Sequence, residues 1–284
     1  MRNFGFALTF ALLVGLPSSG HSEGAEHWSH PESSLFAQSA ARVLSREFAS
    51  NTVSFLLLDA QTGAVIAARW DNPETPIPLG SLVKPFTALA YGEQHAFAYP
   101  VHICHGTASG CWLPHGHGGV DLPSAIAYSC NSYFRMLTAN LTAAEVAPTA
   151  IRFGLQPPVA TISGSALAGL DSRWLISPMS MAHAYLELFR RRDQPGVRQV
   201  LAGMVQSAQR GTGAAVDQAL PIPDALAKTG TAVCTHHRHS PGDGFTIAME
   251  PADQPRILLM VRVHGVPGAQ AARTAGQMLH RIEE

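Results

Sequence analysis

The stretch Ala227-Lys228-Thr229-Gly230-Thr231-Ala232-Val233-Cys234 opens the part of the chain from which the fold is read. It is a β-rich run, and two more follow, Gly244 to Glu250 and Arg256 to His264. Loop-like links, Thr235 to Asp243 and Pro251 to Pro255, separate the three, so consecutive antiparallel strands are expected. Ala269 to Ile282 then has the periodicity of a closing helix. The same grammar stands at the other end of the chain. Ser33 to Ala49 reads as a helix, with Phe36, Ala40, Val43, Leu44 and Phe48 as its apolar stripe and Ser33 or Ser34 as cap. Val53 to Asp59 and Ala64 to Trp70 flank the turn Gln61-Thr62-Gly63, which is a hairpin signature. Between these ends, residues 81–205 are mostly helical patches broken by Gly and Pro. The expected fold is α/β in the α+β sense: one antiparallel sheet built from both chain ends, flanked by terminal helices, with a helical insertion region.

The 284 residues allow one large domain or two small ones, and 46% hydrophobic content is ample for a core. Charged residues are only 14%, which excludes long disorder or a coiled coil. A net charge of −1 removes the electrostatic footprint of a nucleic-acid binder. Met1-Arg2-Asn3, the apolar run Phe4 to Leu16 and the small residues after Pro17 have the three-part layout of a secretory signal peptide. The run is short for a membrane span, which needs about 20 apolar residues. The expected organisation is a cleaved signal peptide over 1–24, a linker over 25–32 and a single domain over 33–284, exported to the periplasm or another extracytoplasmic space. Export permits disulfides among Cys104, Cys111, Cys130 and Cys234.

The basic residues are seventeen Arg and two Lys, Lys84 and Lys228. Lys84 lies three residues after Ser81, at an expected helix start after Gly80, so the two share one helix face. A Ser hydroxyl is a poor nucleophile unless a base takes its proton. Lys can be that base if burial and a second positive charge depress its pKa, whereas Arg cannot lose its proton. The helix N-terminus adds N–H groups aimed at developing negative charge. Lys228-Thr229-Gly230-Thr231 lies in a strand, which points Lys228 and Gly230 to one face and Thr229 and Thr231 to the other. Ser129-Cys130-Asn131 sits between them in the sequence. Each triplet alone is ordinary, a cap, a bulge or a turn. The chance that the only two Lys fall into such a pair of motifs is on the order of one in a thousand.

In order and spacing, Ser81-x-x-Lys84, Ser129-x-Asn131 and Lys228-Thr229-Gly230 resemble the penicillin-recognising serine enzymes, and the chain is identified as a member of the penicillin-binding protein transpeptidase group within them. Leu79-Gly80-Ser81 to Ala88, Ile176-Ser177-Pro178, Gly211-Thr212-Gly213 and Pro251 to Val263 extend the resemblance over roughly residues 50–280. It implies a β-lactamase/transpeptidase-like fold and a serine D,D-transpeptidase that acts on peptidoglycan stem peptides and is inhibited by β-lactams. It implies Ser81 as the acylated nucleophile, Lys84 as its base, and Ser129 as proton relay held by Lys84 and Lys228. Asn131 would bond the substrate amide and Lys84. Lys228, Thr229 and Thr231 would receive the terminal carboxylate, with Gly230 leaving room for the substrate backbone. The N–H groups of Ser81 and Thr231 would form the oxyanion hole. This chemistry requires no metal and no cofactor.

The alternatives within the group are a β-lactamase and a D,D-carboxypeptidase; a non-catalytic β-lactam sensor or wall-binding module is the alternative of another class. Class A β-lactamases carry Glu-x-x-x-Asn before the third motif; neither Glu145 nor Glu187 has an Asn four later. Class D enzymes carry Ser-x-Val where this chain has Ser129-x-Asn131. Cys104 to Asp121 resembles the approach to the second motif in elongation-type class B transpeptidases, without the usual N-terminal pedestal or a glycosyltransferase domain, so separate cell-wall synthesis proteins are expected as partners. His102, Cys104, His105, Cys111, His115 and His117 make a Cys/His-dense loop. A Cys104–Cys111 disulfide with solvated His is the reading preferred there, ahead of zinc. Cys234, His236, His237 and His239 read as a solvated loop.

Overall fold

The computed structural model describes residues 31–234 and 242–284. In chain order the elements are α1 (Pro31–Glu47), β1 (Val53–Asp59), β2 (Val65–Arg69), β3 (Ile77–Pro78), a 3-10 turn (Gly80–Val83), α2 (Lys84–Gln94), β4 (His102–Cys104), β5 (Gly118–Val120), α3 (Leu122–Ala127) and α4 (Asn131–Thr138). They continue with α5 (Ala143–Arg152), β6 (Leu175–Ile176), α6 (Pro178–Arg190), α7 (Val197–Arg210), β7 (Leu226–Ala232), β8 (Asp243–Glu250), β9 (Ile257–His264) and α8 (Gly268–Glu283). The expected signal peptide, most of the expected linker, and His236, His237 and His239 lie outside the described residues. α1 begins at Pro31, two residues before the expected start at Ser33. Proline is well suited to a first helical turn, where its missing N–H is not needed.

Five strands form one antiparallel sheet in the order β2-β1-β9-β8-β7. The chain ends meet at its centre: β1 pairs with β9, from Val53 opposite Val263 to Asp59 opposite Ile257. Both faces of the sheet are covered, which explains why its central strands are nearly continuous apolar runs rather than alternating ones. On one face Leu56, Leu58, Ile247, Leu258 and Met260 pack against the inserted helices, with Phe86 and Leu89 of α2 and Met204 of α7 in the same core. On the other face Phe55, Leu57, Leu259 and Val261 pack against α1 and α8 through Leu44, Ala272, Met278 and Leu279. A one-residue slip of β1 would exchange these two sets, so packing on both sides pins the register.

Two short ladders sit apart from the main sheet. β3 pairs with β6, and β4 pairs with β5. The first ties the segment leading out of the main sheet to the inserted region, and the second lies wholly within that region. β7 is an edge strand of the main sheet, so among the described residues one of its sides carries no strand partner. The turn Gly80–Val83 packs against it, and the loop between α3 and α4 closes the other wall.

Candidate active site

Gly80 holds φ +57°, and a Cβ added there would stand 2.1 Å from the Thr231 carbonyl oxygen. Only glycine permits that close approach, and the approach brings the Ser81 turn onto β7. The sequence reading expected a helix from Gly80 onward. Instead Gly80–Val83 is 3-10, and the α-helix begins at Lys84 with Pro85 in its first turn. Residues three apart eclipse in a 3-10 turn, so Ser81 and Lys84 still share a side. The turn is tied down from the helical region: the Tyr185 hydroxyl donates to the Leu82 carbonyl at 2.9 Å.

Ser129 lies between α3 and α4 at φ +50°, a left-handed conformation that is uncommon for a residue with a side chain. Two backbone bonds hold it, Ser129 N to Ile126 O at 3.2 Å and Cys130 N to Ala125 O at 2.9 Å. The Lys84 amine donates to the Ser129 carbonyl at 2.8 Å and to Asn131 Oδ1 at 2.7 Å, and lies 3.3 Å from Ser129 Oγ. The Lys228 amine reaches the same Ser129 Oγ at 3.1 Å and the Thr229 carbonyl at 2.7 Å. Three segments distant in sequence therefore meet at one hydroxyl. The cleft beside it has a volume of about 580 Å³, and Ser81, Ser129, Asn131, Thr229, Gly230 and Thr231 line it.

Both amines are fully buried. Burial pushes the Lys84 ammonium down from its usual 10.5 to about 7; Cys130 and Cys111 oppose the shift, and Arg135 adds to it. Burial also drives Lys228 well below its usual value, reinforced by the positive charge of Lys84. Lys84 thus has a neutral, proton-accepting form at neutral pH, which an exposed lysine lacks. Its Nζ lies 5.1 Å from the Phe134 ring centroid.

A family model described as "Penicillin binding protein transpeptidase domain" matches residues 53–283. The chain belongs to that family. No curated protein matches the sequence significantly. Among solved structures, Pseudomonas aeruginosa PBP2, determined in complex with WCK 5153, aligns with a TM-score of 0.70 at 18% identity, over 88% of this chain and 73% of that one. The transpeptidase domain of Burkholderia pseudomallei penicillin-binding protein 3 aligns at 0.64 and 18%, over 88% and 91%. PBP2 from Helicobacter pylori, solved as a complex with MreC, aligns at 0.67 and 15%, over 87% and 61%. At these identities the likeness is one of fold.

This transpeptidase domain also places residues at the cleft to which sequence reading assigned no role. Thr229 Oγ1 donates to Thr212 Oγ1 at 2.6 Å, and Thr212 N is fixed by the Ala127 carbonyl at 3.1 Å. Thr212 stands in the Gly211-Thr212-Gly213 segment already noted for its resemblance, and that was the available signal. Thr231 Oγ1 is taken by the Gly268 N–H at 2.9 Å, which ties the strand to the start of α8. Asp171 also lines the cleft, as does Trp112, which sequence reading weighs equally as a groove residue and as a core residue. Burial acts to raise the Asp171 carboxyl, but the guanidinium and N–H of Arg173 outweigh it and hold it below its usual range.

The preferred disulfide is not present. Cys104 and Cys111 are free thiols, as are Cys130 and Cys234. The sulfurs of Cys104 and Cys111 each lie 3.5 Å from His117 Nδ1, and the Cys111 sulfur lies 3.9 Å from that of Cys130. The loop folds its thiols onto an imidazole and a third cysteine rather than onto each other. Nor is His117 solvated as expected: its ring stacks on Tyr128 and meets the edge of Trp112.

Proposed function

We propose that the chain is a serine D,D-transpeptidase that resolves peptidoglycan stem peptides through an acyl-enzyme at Ser81. The observation that carries this reading is the convergence of two buried amines, Lys84 and Lys228, on the Ser129 hydroxyl in a cleft that Ser81 also lines. Lys84 in its neutral form takes the Ser81 proton as Oγ attacks the substrate carbonyl. The N–H groups of Ser81 and Thr231 donate to the developing oxyanion. Ser129 then passes a proton to the leaving amine. Its oxygen faces both Lys amines, which leaves its own hydrogen free to be donated into the cleft. Lys228 and Thr231 receive the carboxylate terminus, joined by Thr229 when its hydroxyl turns from Thr212 to the substrate, and Asn131 orients the acyl amide. The unpartnered side of β7 supports docking of an extended peptide by strand addition. No cofactor enters these steps.

Two observations favour transfer over rapid hydrolysis. Glu145 is spent in a capping box with Thr142, and Glu187 of α6 pairs at 2.6 Å with Arg191, the residue just after that helix. The carboxylate that lines the cleft, Asp171, is engaged by Arg173 at 2.8 Å. None of the three is poised to activate a water on the acyl-enzyme. We further propose an exported protein that works beside separate cell-wall synthesis proteins. Among the described residues, no helix is long and apolar enough to cross a membrane.

The test is intact mass after exposure to a labelled penicillin. A stable adduct on the wild type that Ser81→Ala abolishes is expected. Rapid turnover without a persistent adduct would make the chain a β-lactamase. Release of free D-Ala from a stem peptide without cross-linking would make it a carboxypeptidase. Stem-peptide binding that survives Ser81→Ala with no acyl transfer would reduce it to a wall-binding module.

A further inference from the structure

We infer that Cys104, Cys111, His117 and Cys130 hold one tetrahedral metal ion of the zinc class, and that this ion anchors the loop carrying Ser129 and Asn131. The four ligand atoms, three Sγ and one imidazole nitrogen, all lie within 4.8 Å of one another. A tetrahedral zinc ion with its usual bond lengths sets S–S edges of about 3.8 Å and S–N edges of about 3.6 Å. The corresponding separations are 3.9 Å for Cys111–Cys130 and 3.5 Å for His117 Nδ1 to each of Cys104 and Cys111. Hydrogen bonding alone explains this poorly. One imidazole nitrogen carries at most one hydrogen, yet Nδ1 faces two sulfurs. A disulfide explains it no better, because pairing any two of the three thiols leaves the third and the imidazole unused.

The chain around the cluster is shaped to present these atoms. Cys104 ends β4, and His117 immediately precedes β5, so the β4–β5 ladder brings them together. Gly116, at φ +78°, lets the loop close: a Cβ there would stand 2.1 Å from the Cys104 carbonyl oxygen. The His117 ring is clamped between Tyr128 and Trp112, and Trp112 Nε1 donates to the Tyr128 carbonyl at 3.1 Å. Three thiolates and one imidazole form a soft donor set suited to zinc and unsuited to calcium or magnesium. With four protein ligands the site is closed, hence structural rather than catalytic.

The fourth ligand ties the ion to the cleft. Cys130 lies between Ser129 and Asn131, the two residues that meet the Lys84 amine. It is fully buried and caps α4 without a side-chain capping hydrogen bond, its sulfur turned instead to the cluster. A metal at its sulfur would clamp the left-handed turn at Ser129 to the β4–β5 hairpin. Cys104, Cys111 and His117 would then act as positioning residues. That consequence rests on the proposed function; metal binding itself does not.

The test loads the reduced full chain with zinc and measures the bound metal after gel filtration, with cobalt as the spectroscopic probe. We expect one zinc per chain and, with cobalt, a thiolate charge-transfer band with the intense visible absorption of a tetrahedral site. Cys104→Ser and Cys111→Ser should weaken cobalt affinity by more than about 100-fold. Cys234→Ser should leave it unchanged. His117→Cys should restore both the band and penicillin acylation, and His117→Ala should restore neither. Should the serine variants fail to fold, the wild type alone decides. Zinc should slow alkylation of three cysteines, mapped by peptide mass to Cys104, Cys111 and Cys130. The inference is overturned if the reduced protein binds no zinc, if alkylation is indifferent to zinc, or if Cys234→Ser removes the cobalt band while Cys104→Ser keeps it. Normal metal binding with no acylation of any variant would refute the proposed function and leave the site standing.

Discussion

Acylation of Ser81 should follow the ionisation of Lys84. With the amine at about 7, the neutral fraction rises from about 9% at pH 6 to about 91% at pH 8, a tenfold gain. An ordinary lysine at 10.5 would offer about 0.03% neutral amine at pH 7. The second-order rate constant of labelled-penicillin acylation, measured by rapid quench and intact mass, should therefore climb about tenfold over that interval and then level off. Lys84→Arg keeps a charge and cannot lose its proton, so it should lose about 10²–10⁴ of the rate and the pH dependence together. The same titration appears in stability. The unfolded chain keeps this proton up to about 10.5, while the folded chain releases it near 7, so between these values the unfolded state binds more protons. Stability accordingly rises with pH across that window; the cost of burying the amine is greatest below 7 and fades towards 10.5. From pH 7 to pH 9 the wild type should gain about 2 kcal/mol in urea unfolding relative to Lys84→Met, whose side chain does not titrate. An acylation profile that is flat, or that rises only above about pH 9, refutes the assignment of Lys84 as the neutral base.

Ser129→Ala removes the oxygen on which both amines converge and should slow acylation by about 10²–10⁴ with little change in melting temperature, read from adduct kinetics and a thermal melt. Gly80→Ala drives a methyl into the Thr231 carbonyl at positive φ. It should destabilise the fold by at least about 1–2 kcal/mol and, by displacing the Ser81 turn from β7, cost about 100-fold in acylation. Thr142→Ala breaks the capping box of α5, away from the cleft, and should cost about 1 kcal/mol in urea unfolding while leaving acylation untouched.

Sequence alone determined the elements of the sheet and its two covering helices. Val53–Asp59 is the strand expected from its composition, and the three late strands and the closing helix fall within two residues of their expected bounds. These signals are local: apolar runs of strand length bounded by turn residues, and a helical stripe. The concentration of both lysines in two motifs marked the cleft as well. Tertiary structure decided what had no local signal. The two- and three-residue ladders are too short for periodicity to register. The 3-10 entry to α2, the role of Thr212 and the gathering of three thiols on His117 all depend on neighbours far along the chain. The bonds that define the cleft span 45, 47 and 99 residues. A motif names an amine, but its proton affinity is set by the water that packing removes and by the charges packing brings near. Those are properties of the assembled interior, and they alone separate a base at Lys84 from an ordinary lysine.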